Sequence, residues 1–84
     1  MNPFLVEWEP PAEDELARIW LRAVDPLAVT RAQAQADGLL SRDPIKYGRY
    51  LSEGLYSIDV PPLVITYTID NPNRLVVVTW VRQS

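Results

Sequence analysis

The sequence contains no cysteine and no histidine. Without thiols there is no disulfide, no thiolate nucleophile and no cysteine metal ligand; without imidazole there is no histidine base and no Cys/His zinc site. A metal would have to be held by carboxylates alone, so the expectation is no metal and no cofactor. Long apolar runs are missing as well: no stretch of about 18 apolar residues exists that could cross a membrane as a helix. The start, Met1-Asn2-Pro3-Phe4-Leu5-Val6-Glu7, has neither the basic opening nor the apolar core of a secretion signal. Cytoplasm is the compartment this implies. Length bounds the rest, because 84 residues make one domain, 1–84. A domain that short buries only about 60% of its unfolded surface, so a ligand is expected at a sheet face or edge and not in a deep cavity.

Positive charge is in deficit. Eight Lys and Arg oppose eleven Asp and Glu, a net charge of −3, and the isoelectric point is near 4.7. The arginines at 18, 22, 31, 42, 49, 74 and 82 are scattered among acids, which is the pattern of a mixed solvated surface. Nucleic acid is therefore not expected as a direct high-affinity ligand, since that affinity comes mainly from phosphate neutralisation.

What the chain does have is clear periodicity. Phe4, Val6 and Trp8 alternate with Glu7 and Glu9, the pattern of a half-buried strand ended by Pro10-Pro11. Leu16, Ile19, Trp20 and Ala23 then recur at helical spacing, predicting an amphipathic helix over 11–25. Glu13-Asp14-Glu15 falls in its first turn, where the helix dipole favours acids. Neighbouring helical residues point about 100° apart, so this triplet cannot converge on one ion. Asp25-Pro26 supplies an N-cap and a first-turn proline for a second helix, with Val29, Ala32, Ala36, Leu39 and Leu40 as its stripe. Asp43-Pro44 and Gly48 close the helical half.

The rest reads as β structure. Tyr50 to Val60 is a strand with a bend at Glu53-Gly54, and Leu63 to Ile69 and Leu75 to Arg82 form an antiparallel hairpin around Asp70-Asn71-Pro72-Asn73. The fold class is thus α+β in the order β-α-α-β-β-β, a helical hairpin packed on one face of a mainly antiparallel four-stranded sheet. Straight alternation puts Leu63, Ile65, Tyr67, Ile69, Leu75, Val77, Thr79 and Val81 under the helices. It leaves Val64, Thr66, Thr68, Val76, Val78, Trp80 and Arg82 on a face that nothing else in the chain covers. Such a face is a candidate surface for a protein partner or for a homodimer; an ordinary solvent-facing sheet surface is the plain alternative.

The layout resembles the RelE/ParE superfamily of toxins from bacterial toxin–antitoxin modules, known also from plasmid stabilisation. The residues that carry it are Trp8-Glu9-Pro10-Pro11-Ala12 with Leu16 and Ile19-Trp20, then Leu39-Leu40-Ser41-Arg42-Asp43-Pro44 and Gly48, then Leu55 to Tyr67 and the Val-rich last strand. The resemblance implies either ribosome-dependent mRNA cleavage or inhibition of DNA gyrase, with neutralisation by a cognate antitoxin. The sequence departs from the cleaving branch, which commonly has arginine three residues before the strand tyrosine and again five residues further upstream. Here those positions are Val64 and Asp59, and the chain ends Trp80-Val81-Arg82-Gln83-Ser84 without the terminal tyrosine or histidine of such members.

Three functional readings follow. The first is a toxin component that acts by protein binding, through Thr66, Thr68, Trp80 and Arg82. The second is a non-toxic homo-oligomeric or partner-binding module on the same fold. The third is a degenerate ribosome-dependent endonuclease using Glu53, Arg49, Tyr50 and Arg82, with Glu53 as its base; a plain exposed turn residue is the alternative for Glu53.

Overall fold

A computed structural model describes residues 3–84. Met1 and Asn2, the beginning of the N-terminal segment read above, lie outside the described residues. The elements are β1 (Leu5–Trp8), α1 (Pro10–Arg22), α2 (Pro26–Arg42), a one-turn α3 (Pro44–Tyr47), β2 (Arg49–Ser52), β3 (Leu55–Val60), β4 (Leu63–Asp70) and β5 (Leu75–Gln83). Two proline pairs that look like breaks behave differently. Pro10 and Pro11 form the first turn of α1, where a missing N–H leaves no bond unmade. Pro61-Pro62 forms the turn between β3 and β4.

α2 and α3 are started by local chemistry before packing. The Asp25 carboxylate accepts from the Ala28 amide at 3.3 Å and starts α2. Asp43 does the same for α3, accepting from Lys46 N at 3.1 Å. Val29, Ala32, Ala36 and Leu40 make the buried stripe of α2, and Ala12 and Ile19 that of α1. Trp20 stands outside this core, 44% exposed, with its indole N–H donating to Thr30 Oγ1 at 3.2 Å across the hairpin. The acidic triplet is spread around α1, and Glu15 pairs with Arg18 at 2.9 Å. No helix of the described residues is long and apolar enough to cross a membrane.

The sheet has five strands in the order β1-β5-β4-β3-β2, one more than the four expected. The segment read as one bent strand is a hairpin: Glu53-Gly54 is its tip, Gly54 adopts φ +67°, and Tyr50 pairs with Tyr56. A two-residue connection with glycine in the left-handed region is a hairpin turn, not a bend within a strand. β1 pairs in parallel with β5, and its placement at the edge is secured by Leu5 N donating to Arg74 O at 2.8 Å. The Arg74 guanidinium lies over the Phe4 ring, 3.9 Å from its centroid.

β4 is the central strand, and Leu63, Ile65 and Tyr67 on it are completely buried under the helices. Tyr67 ties the sheet to α3 through its hydroxyl, which donates to Pro44 O at 2.6 Å. Gly48 makes room for that bond. A Cβ at position 48 would overlap the Tyr67 hydroxyl and come within 2.9 Å of Pro44 O. The phenol is pushed up to about 12, first by burial and second by the neighbouring Tyr56, so it is a locked structural donor at neutral pH.

The open face as candidate functional site

The face away from the helices is set by strand register. Ser57, Thr66 and Trp80 lie in one row with Arg49 at its end. A second row joins Asp59, Val64 and Arg82, and a third runs Leu55, Thr68, Val77, Glu7. Trp80 is 45% exposed, whereas Val64 and Ser57, in the middle of the sheet, are only 8% and 4% exposed although no helix covers them. Exposure across the face is uneven: Thr66 and Thr68 on the central strand are half-buried and Asp59 is exposed.

Straight alternation fails at one place. Thr66 pairs with Trp80 but Tyr67 pairs with Val78, so Thr79 is an extra residue in β5. Its hydroxyl donates to Thr66 O at 3.3 Å. A bulge of this kind shifts side-chain parity by one. Val76 and Val78, expected on the open face, are therefore in the core with no exposure. Leu75 and Val77, expected in the core, are on the open face opposite Leu5 and Glu7 of β1. Of the expected face, Val64, Thr66, Thr68, Trp80 and Arg82 remain. Leu5, Glu7, Arg49, Leu55, Ser57, Asp59, Leu75 and Val77 are the face residues outside the expected set. A clue was present: a straight β5 would place the Thr79 hydroxyl under the helices, a local conflict that the bulge resolves.

The four residues considered for catalysis do not converge. Arg49 and Arg82 are on strands three spacings apart, roughly 14 Å at about 4.8 Å per spacing. Tyr50 pairs with Tyr56, on the helix side of the sheet, and packs edge-on against that ring with centroids 5.6 Å apart. Tyr56 stacks in turn on Tyr67 at 5.8 Å, so this row of tyrosines is packing. Glu53 is exposed at the tip of the β2–β3 hairpin, at the other end of β3 from the Asp59, Val64, Arg82 row. Proton transfer needs groups within about 2.6–3.2 Å of the reacting atom, and Arg49 and Arg82, three strand spacings apart, do not meet that condition together.

One half-buried carboxylate, Asp37 on α2, accepts from Trp8 Nε1 at 2.9 Å. Burial raises its pKa and that hydrogen bond partly offsets the rise. It joins β1 to α2 on the covered side of the sheet.

A helical hairpin over one face of a mixed sheet, with the other face left open, defines a small α+β domain. Solved structures place it more closely. A chain of the RelBE2 toxin–antitoxin complex from Mycobacterium tuberculosis superposes with a TM-score of 0.83 at 25% identity, covering 100% of this chain and 94% of that one. A chain of the chromosomal ParDE toxin–antitoxin system of P. aeruginosa gives 0.72 at 12% identity, covering 99% and 98%. The isolated RelE toxin of E. coli gives 0.69 at 13% identity, covering 96% and 84%. No family model matches the sequence, and no curated protein does. The chain has the RelE/ParE-superfamily toxin fold.

Proposed function

We propose that this chain is the toxin component of a toxin–antitoxin module, that it acts by binding a protein target and not by cutting RNA, and that a cognate antitoxin neutralises it. Likeness to RelE/ParE toxins over the whole chain supports the first part. The observation that carries the second is the row Asp59, Val64, Arg82 across the open face. Cleaving a phosphodiester requires donors and cations gathered where negative charge develops. In this row a lone arginine is followed by an aliphatic side chain and then by a carboxylate that repels phosphate. Trp80 and Arg82, by contrast, are side chains that anchor protein interfaces, and Val77 continues the apolar area along β5 toward Leu75 and Leu5 at its far end.

The test is induction of the chain alone in a bacterial host, with growth followed beside separate reporters of translation and of DNA supercoiling. The proposal expects arrest, relieved by Trp80→Asp at equal soluble expression. Arrest that Trp80→Asp leaves intact removes the open face from the mechanism. Unimpaired growth at confirmed soluble expression makes the protein a non-toxic binding module.

A further inference from the structure

Two opposite charges on the open face stand near one another without pairing. Arg49 of β2 faces Ser57 of β3, and Asp59 follows two residues along β3, on the same face. Arg49 and Asp59 are thus diagonal cross-strand neighbours, about 7–8 Å apart. Among the described residues neither forms an ion pair. Both line a cavity of about 220 Å³, together with Tyr47 and Ser57.

Ser57 gives this cavity a polar floor. It is only 4% exposed, yet its hydroxyl has no hydrogen-bond partner among the described residues. No side-chain nitrogen or oxygen sealed from solvent lacks a partner there, so the Ser57 oxygen keeps its remaining exposure on the side of the cavity it lines. A buried hydroxyl left unpaired costs free energy that a ligand group can recover.

A cationic corner borders the same cavity. Arg42 and Lys46 lie over the ring of Tyr47, 5.9 and 5.4 Å from its centroid, and Arg49 follows two residues later. One wall is therefore positive and the other is the Asp59 carboxylate. A simple anion is repelled at Asp59 and a simple cation at Arg49, whereas a molecule carrying both charges is held at both ends.

We propose that this pocket binds a small zwitterion of the α-amino acid class. The ligand carboxylate accepts from the Arg49 guanidinium and the Ser57 hydroxyl, its ammonium donates to Asp59, and a neutral side chain rests beside Tyr47. Each end is a charge-assisted hydrogen bond. The volume is below the roughly 300–1,000 Å³ of sites for drug-sized ligands, which suits a single amino acid. A nucleotide fits less well, since it brings phosphate to Asp59 and has no ammonium to offer. The assignment goes beyond the toxin reading and does not rest on it.

The test titrates the purified chain with L-leucine and follows backbone amide chemical shifts. Saturable shifts are expected at Gly48, Arg49, Ser57 and Asp59 and not at Leu5–Trp8. N-acetyl-L-leucine, without the ammonium, and L-leucinamide, without the carboxylate, should each bind at least about tenfold more weakly. Arg49→Gln and Asp59→Asn should each weaken L-leucine at least about tenfold, and Ser57→Ala about fivefold. Asp59→Asn should also abolish the preference for L-leucine over its N-acetyl derivative, and Arg49→Gln the preference over the amide. Circular dichroism checks that these variants remain folded. Shifts that do not saturate, equal binding of either blocked derivative, or full affinity in Arg49→Gln or Asp59→Asn would overturn the proposal. So would tighter binding of uridine monophosphate at the same amides, which would assign the pocket to nucleotides. None of these readouts depends on toxicity: L-leucine binding without growth arrest keeps the site and removes the toxin reading, and arrest without binding does the converse.

Discussion

The two faces of one sheet are built from alternate residues of the same strands, yet they obey different rules. On the covered face Ile65, Tyr67, Val76, Val78 and Val81 are buried against the helices, and their identities are fixed by volume. The Tyr67 hydroxyl, on a completely buried side chain there, has a backbone acceptor and a glycine cleared away for it. On the open face hydroxyls, carboxylates, arginines and aliphatics stand in adjacent rows with no dominant charge, and the volume constraint relaxes at its flanks. A residue's face therefore predicts what changing it does: covered positions act on stability, open positions on binding. The boundary between the two is the bulge at Thr79.

The sharpest way to break this comparison is to charge neighbouring valines of β5. Val78→Asp buries a carboxylate with no partner and is expected to unfold the domain, a loss of several kcal/mol, on the order of 4 or more. Val77→Asp, one residue away on the open face, should cost about 1 kcal/mol or less. Urea unfolding distinguishes them, and equal effects would remove the bulge from the account. Gly48→Ala comes next, at roughly 3 kcal/mol, because the new methyl can be seated only by displacing the Tyr67 hydroxyl from Pro44 O.

The Tyr67 phenol gives a pH test of the covered face. Its pKa is about 12 in the folded protein, against about 10 in the unfolded chain. Between these values the unfolded state has released a proton that the folded state still holds. The contribution is therefore fully present below pH 10 and lost as pH rises toward 12, a loss of roughly 2–3 kcal/mol. Tyr67→Phe should be less stable at neutral pH by about 1–2 kcal/mol, the cost of an unpaired buried carbonyl. It should also lack that part of the alkaline decline. The smallest expected effect is favourable. Gly38 is helical and exposed, with nothing near a new Cβ, so Gly38→Ala should stabilise by about 1 kcal/mol, seen as a higher urea midpoint.

Much of the fold was legible because its signals are local. Period-2 alternation marked β1, and Asp25-Pro26 with the Val29, Ala32, Ala36, Leu40 stripe marked α2 almost to the residue. The parallel pairing of β1 with β5 was not legible, since nothing in Leu5–Trp8 names a partner 70 residues away. The β2–β3 hairpin was hidden because Glu53-Gly54 serves equally as a bend or a tip until pairing decides it. The open face was half legible: Trp80 and Arg82 were found, but one unpaired residue at Thr79, unmarked by glycine, exchanged Val76 and Val78 for Leu75 and Val77. The cationic corner went unnoticed as a cluster because scattered sequence positions, 42, 46 and 49, meet only through the turn of α3 around Tyr47.

The central claim is that this toxin fold acts by binding and not by cleavage. It is tested most directly by adding the purified chain to a translating bacterial extract and mapping messenger RNA 5′ ends with nucleotide resolution. The account predicts the same ends with and without the protein. New ends at ribosome-bound codons, lost in Arg82→Ala, would contradict it and return Arg82 to catalysis.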